Sequence, residues 1–176
     1  MTDYIQNSNS KITPQHFICA SLLGRLAELV SSAPQEVINT TIKTSASNIH
    51  NMLKLGGHLK DNYRTFEELI LDMNKSFDFC NDLKITSDDE YVEITLKDAI
   101  CGCKYCPKVI GEAEIDGTAC PIPILFEQVG KKEGFDYSVI KVNGSCVVKK
   151  DNSCIIKFSK CNNKPTRKTW RESLHM

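Results

Sequence analysis

Near residue 80 the hydrophobic pattern of this chain changes period, and that change sets its fold class. Before it, apolar residues recur every three to four positions; after it, they alternate. From Pro14 the residues Phe17, Ile18, Leu22, Leu23, Leu26, Leu29 and Val30 follow helical spacing, with Thr13 as N-cap ahead of a first-turn proline. Ser31-Ser32-Ala33-Pro34 ends that helix and starts a second. The second runs to the stop at Gly56-Gly57 and uses Val37, Ile38, Ile42, Ile49, Met52, Leu53 and Leu55. Thr65 opens a third, with Glu68 placed for a capping box, carrying Phe66, Leu69, Ile70, Met73 and Phe77.

Beyond that point Leu83 to Ile85 is a short apolar stretch. Tyr91 to Ile100 then alternates Val92, Ile94 and Leu96 with polar neighbours, as a half-buried strand does, and Asp88-Asp89-Glu90 supplies the turn between them. A fourth helix is expected from about Thr118 to Lys132, with Pro121 and Pro123 at its start and Gly134 after its end. Two strands, Phe135 to Val148 and Cys154 to Ser159, close as a hairpin. The order predicts an α+β domain: N-terminal helices on one face of an antiparallel sheet, with a further helix before a C-terminal β-hairpin. Residues 13–161 form this domain, residues 1–12 a flexible polar N-terminus, and residues 162–176 a basic polar tail with Trp170.

Charge and length exclude several classes. Lys plus Arg and Asp plus Glu are 22 each, so no net field draws in nucleic acid. No apolar run reaches the ~20 residues of a membrane helix, so no membrane insertion is expected. The polar first ten residues lack the apolar core of a signal peptide, which predicts a cytoplasmic protein with reduced thiols. The chain carries no phosphate-binding glycine loop, no His-Glu-x-x-His motif and no nucleophile elbow, so a non-enzymatic role is expected.

Six of the nine cysteines fall between residues 101 and 154. Cys101, Cys103 and Cys106 crowd into one short segment ending at Pro107, and Cys120, Cys146 and Cys154 follow. Crowded thiols in a reducing compartment usually serve a metal. Cys146 and Cys154 flank the tip of the expected hairpin, and Cys120 opens the preceding helix, so three donors for a tetrahedral zinc come within reach. The Cys-x-Cys-x-x-Cys segment equally suits an iron–sulfur cluster, with Cys120 as fourth thiolate. Cys19 and Cys80 fall within apolar patterns and read as core. Cys161 follows the last strand, and His16, His50 and His58 read as surface or interhelix residues.

The stretch Gly117-Thr118-Ala119-Cys120, Gly130, Gly134-Phe135, Val142-Asn143-Gly144-Ser145-Cys146 and Asn152-Ser153-Cys154-Ile155-Ile156-Lys157-Phe158 resembles the 4-vinyl reductase, or hydrocarbon-binding, domain. That domain shares a fold with the Bet-type subunits of the TRAPP vesicle-tethering complex. The resemblance implies a zinc held by Cys120, Cys146 and Cys154, an apolar cavity for a hydrophobic small molecule, and a homodimer or protein partner. The acidic ligand of that family would fall at Asn143, so Cys101, Cys103 or Cys106 is expected to replace it. The function implied is small-molecule binding or sensing beside a structural metal, with an iron–sulfur redox protein or reductase-associated subunit as the alternative.

Overall fold

A computed structural model describes residues 2–7, 10–30, 32–97 and 103–161. Cys101, the end of the strand expected to reach Ile100, and the basic tail at 162–176 lie outside them. Strand β1 (Thr2–Asn7) precedes three helices, α1 (Pro14–Glu28), α2 (Pro34–Leu55) and α3 (Phe66–Phe77). Strands β2 (Asp82–Ser87) and β3 (Tyr91–Leu96) follow, then α4 (Ile122–Lys132). Strands β4 (Tyr137–Val139), β5 (Val148–Lys150) and β6 (Ser153–Lys160) complete the order. The strands form one antiparallel sheet in the order β1-β2-β3-β6-β4, with β5 also on β6. This is the α+β class expected.

The sheet buries Leu83, Ile85, Val92, Ile94, Leu96, Ile156 and Phe158 against Phe66, Leu69, Ile70 and Met73 of α3 and Ile122 and Phe126 of α4. Alternation along β2, β3 and β6 puts these residues on one face. The methionine and phenylalanines of α3 are packed as core, Phe66 stacking on Tyr137 at 4.8 Å and standing edge-on to Phe158 at 5.4 Å. Both N-caps behave as the sequence suggests: Thr13 and Thr65 accept from the backbone N–H of His16 and Glu68. Among the described residues no helix is long and apolar enough to cross a membrane.

Three expectations are corrected. The N-terminus is an edge strand, paired with β2 from Thr2↔Ser87 to Asn7↔Asp82. Only Tyr4 and Ile5 among its six residues are apolar, which conceals it, because an edge strand gains its backbone ladder without a full apolar face. The expected strand from Phe135 to Val148 is two three-residue strands, β4 and β5, both against β6. Between them Asn143 and Gly144 take positive φ of 50° and 80°, and Val142 and Ser145 exchange both backbone hydrogen bonds. That is the mirror-image turn an Asn-Gly pair favours. Helix α4 starts at Ile122 rather than Thr118, because the Cys120 peptide is held by a side chain of α2.

Helix α1 bears out its sequence reading only in part. Leu23 and Leu26 pack against the core, but the most buried face is the small stripe Ala20, Gly24 and Ala27 with His16, and Phe17, Ile18 and Leu22 are exposed. The stripe admits the loop after Cys106 at backbone distance. A Cβ on Gly111 would stand 2.3 Å from the Ala20 carbonyl oxygen, and one on Gly24 would stand 3.0 Å from Ala113 Cβ. Small residues therefore mark the most buried stripe here, and Phe17, Ile18 and Leu22 misdirect a periodicity argument.

Candidate metal centre

The thiols gather at the end of the sheet where β3 stops and β6 starts. Cys154 pairs with Leu96 of β3 on one side and with Lys149 of β5 on the other. Cys103 forms an antiparallel bridge with Cys80, reinforced by the Lys104 N–H donating to the Phe79 carbonyl at 2.8 Å. From there the chain winds into tight turns. The Cys106 carbonyl accepts from Ile110 at 2.9 Å and Gly111 at 3.1 Å, and the Pro107 carbonyl accepts from Ala113 at 3.0 Å. Cys120 is fixed from α2: its N–H donates to Gln35 Oε1 at 2.9 Å, and Gln35 Nε2 donates to its carbonyl at 3.0 Å.

Four cysteines from these separate pieces, Cys103, Cys106, Cys120 and Cys154, line one pocket of about 40 Å³. Leu96, Ala119 and Val147 give it apolar walls, and Lys108 and Lys149 contribute to its lining. Burial pushes the Cys103 thiol above its ordinary range, and charge on Cys106 and Cys154 would push it further. Burial likewise raises Cys120 well above that range, and Cys103, Cys106 and Cys154 add to the shift against the opposing Ile122 N–H. Cys154 is raised by burial, with Lys149 opposing and Cys106 adding. Charge on neighbouring sulfurs thus adds to the burial that keeps Cys103, Cys120 and Cys154 protonated, as expected of thiols sharing one small space. A cation among them reverses the sign of that interaction. As the side chains stand, no three of His, Cys, Asp or Glu among the described residues are drawn into a common coordination sphere.

The structure thus divides the sequence-expected donors. It brings together Cys103, Cys106, Cys120 and Cys154, and leaves Cys146 out. Cys146 is 1% exposed, and burial raises its thiol while Lys141 and Asn39 oppose the shift. Its neighbour Val147 lines the pocket and Cys146 does not. Asn143 is spent on the turn before Cys146 and is exposed. Cys101 lies outside the described residues. Cys80 is buried, as expected for core, but Cys19 is exposed on α1. The Cys161 thiol donates to Ser138 Oγ at 3.1 Å. His16 is buried at the start of α1, His50 meets Glu133 at 2.6 Å between α2 and the end of α4, and His58 is exposed.

Sequence reasoning missed Gln35, Asp78 and Lys104. Gln35 is 7% exposed, and besides Cys120 it bonds Asn39 and Thr118. Lys104, between two of the pocket's cysteines, is fully buried with Nζ 2.6 Å from Asp78 Oδ2. Its position inside the Cys-x-x-Cys spacing was the one available signal.

A family model described as the MJ0207 family matches residues 34–160, from the start of α2 to the end of β6. The chain belongs to the MJ0207 family. The matched segment contains all four pocket cysteines together with Gln35, Asp78 and Lys104. Over 87 residues the chain is 44% identical to the uncharacterized protein MJ1342 of Methanocaldococcus jannaschii, covering 49% of this chain and 71% of that one. No solved structure matches. Membership of the MJ0207 family overturns the resemblance to the 4-vinyl reductase domain. The cysteine trio that carried that resemblance is also divided in space, since Cys146 is not part of the pocket that holds Cys120 and Cys154.

Proposed function

We propose that this MJ0207-family chain is a metal-binding domain in which Cys103, Cys106, Cys120 and Cys154 hold one zinc ion as a structural centre. The observation that carries the reading is the convergence of four thiols, drawn from three distant parts of the sequence, on one pocket of about 40 Å³. Binding one ion requires the four side chains to rotate about χ1 so that their sulfurs converge on a shared point. Four thiolates fill a tetrahedral zinc sphere and leave no open position, the arrangement of structural rather than catalytic zinc. The ion would brace the loop after Cys103 and the start of α4 against the first residues of β6. Its binding energy then adds directly to folding stability.

Four thiolates also suit an iron–sulfur cluster, and metal content separates the two. The reading is tested by metal analysis of protein purified without added metal. Zinc at about one equivalent per chain in a colourless protein supports it. A brown protein with iron and acid-labile sulfide, or a protein without metal that cannot be loaded with zinc, refutes it.

A further inference from the structure

Within the Cys103-Lys104-Tyr105-Cys106 segment both spacer residues are held from behind. Lys104 is fully buried, with Nζ 2.6 Å from Asp78 Oδ2 and a hydrogen bond to Ser10 Oγ. Ser10 Oγ in turn donates to the other Asp78 oxygen at 2.6 Å, and His16 Nε2 stands 4.0 Å from Asp78. Tyr105 donates its hydroxyl to the Phe77 carbonyl at 3.2 Å and meets the His16 ring edge-on at 5.0 Å. Asp78 caps α3 in the left-handed conformation at φ 54°, its N–H bonded to the Asn74 carbonyl at 2.7 Å. The spacing between the two thiols therefore rests on the end of a core helix.

We infer that Asp78 is a positioning residue of the thiolate centre, acting through Lys104 to hold Cys103 and Cys106 at the spacing a metal requires. This rests on the zinc reading above and extends it to the groups behind the ligands. A buried ammonium is stable only with its partner in place, so the pair fixes one position of the segment rather than several. Groups that orient metal ligands commonly contribute 10–100-fold to affinity. The expectation for Asp78 is of that size.

The test compares the whole chain with the variants Asp78→Asn and Asp78→Asn/Lys104→Met. Asparagine keeps the size of the side chain and tolerates left-handed φ, so the first change removes charge with little backbone cost. Zinc affinity is measured by competition with a chromophoric chelator, and the sulfur-to-cobalt charge-transfer band is recorded on the Co(II)-substituted protein. Asp78→Asn is expected to weaken zinc by about 10–100-fold and to reduce the cobalt band. The double variant, with no charge left unpaired, is expected to regain the urea midpoint of the metal-free wild type without regaining affinity. Wild-type affinity and an unchanged band in Asp78→Asn would overturn the inference. So would recovery of affinity in the double variant, which would mark the pair as a fold stabiliser alone. A wild type that binds neither metal overturns the zinc reading itself, and that result comes from the wild-type arm before any variant is compared.

Discussion

Gln35 holds Cys120 by its own peptide. Its amide oxygen accepts the Cys120 N–H at 2.9 Å and its amide nitrogen donates to the Cys120 carbonyl at 3.0 Å, across 85 residues of sequence. The same oxygen accepts from Thr118 at 3.3 Å, and Thr118 meets Ser145 at 2.8 Å. One side chain of α2 thereby sets where the Cys120 sulfur enters the pocket. Gln35→Leu keeps the bulk and leaves the Cys120 peptide groups without their partner. It is expected to lower stability by about 1–3 kcal/mol in urea denaturation of the metal-free protein. It should also weaken zinc binding, because the Cys120 backbone loses its anchor. Unchanged stability would mean that solvent replaces both bonds.

The cysteines should separate into ligands and core. Serine at Cys103, Cys106, Cys120 or Cys154 is expected to cost more than the roughly 10–100-fold associated with outer-shell groups, as read by zinc competition. Cys146→Ser should leave zinc stoichiometry unchanged while lowering the melting temperature, since it places a hydroxyl where a thiol is 1% exposed. Asn143→Asp should likewise leave zinc affinity unaltered, because its side chain sits on an exposed turn. Loss of the metal on changing Cys146 would return it to the ligand set.

Away from the centre, Tyr63 gives the fold an alkaline limit. Burial raises its phenol above the ordinary range, and the hydrogen bond to Asp72 at 2.5 Å adds to the shift, while the Lys60 N–H opposes it. The folded-state value lies above that of the unfolded chain, so the unfolded state releases this proton first as pH rises. The contribution is therefore complete below about pH 10 and is lost as pH climbs through the folded value. Tyr63→Phe is expected to lower stability by about 1 kcal/mol at neutral pH and to flatten the decline above about pH 10. Urea midpoints measured across that range for the two proteins check the sign. Parallel curves would contradict it.

The helices and the core strands were legible because their signals are local. Thr13 before Pro14, Thr65 before Phe66, and the alternation of Val92, Ile94 and Leu96 each carry their own physical reason within a few residues. The N-terminal strand was not legible, because its partner β2 lies about 80 residues away and its six residues offer only Tyr4 and Ile5 as apolar content. Helix α1 misled the periodicity argument because Ala20, Gly24 and Ala27 pack by their smallness rather than by apolar bulk. The density of cysteines pointed to a candidate site but not to which of them share a pocket: the Asn143-Gly144 turn breaks the expected strand, and Val147 rather than Cys146 lines the pocket. Gln35 and Asp78 carried no signal, since each acts on a segment 26 or more residues away.

The central claim is that four sulfurs from Cys103, Cys106, Cys120 and Cys154 surround one zinc ion. X-ray absorption at the zinc edge of the purified protein measures this directly. The expected result is a single shell of about four sulfur scatterers at ~2.3 Å with no light-atom neighbour, reduced to three in the Cys154→Ser variant. A shell dominated by nitrogen or oxygen, or a sulfur count that does not change in Cys154→Ser, would contradict it.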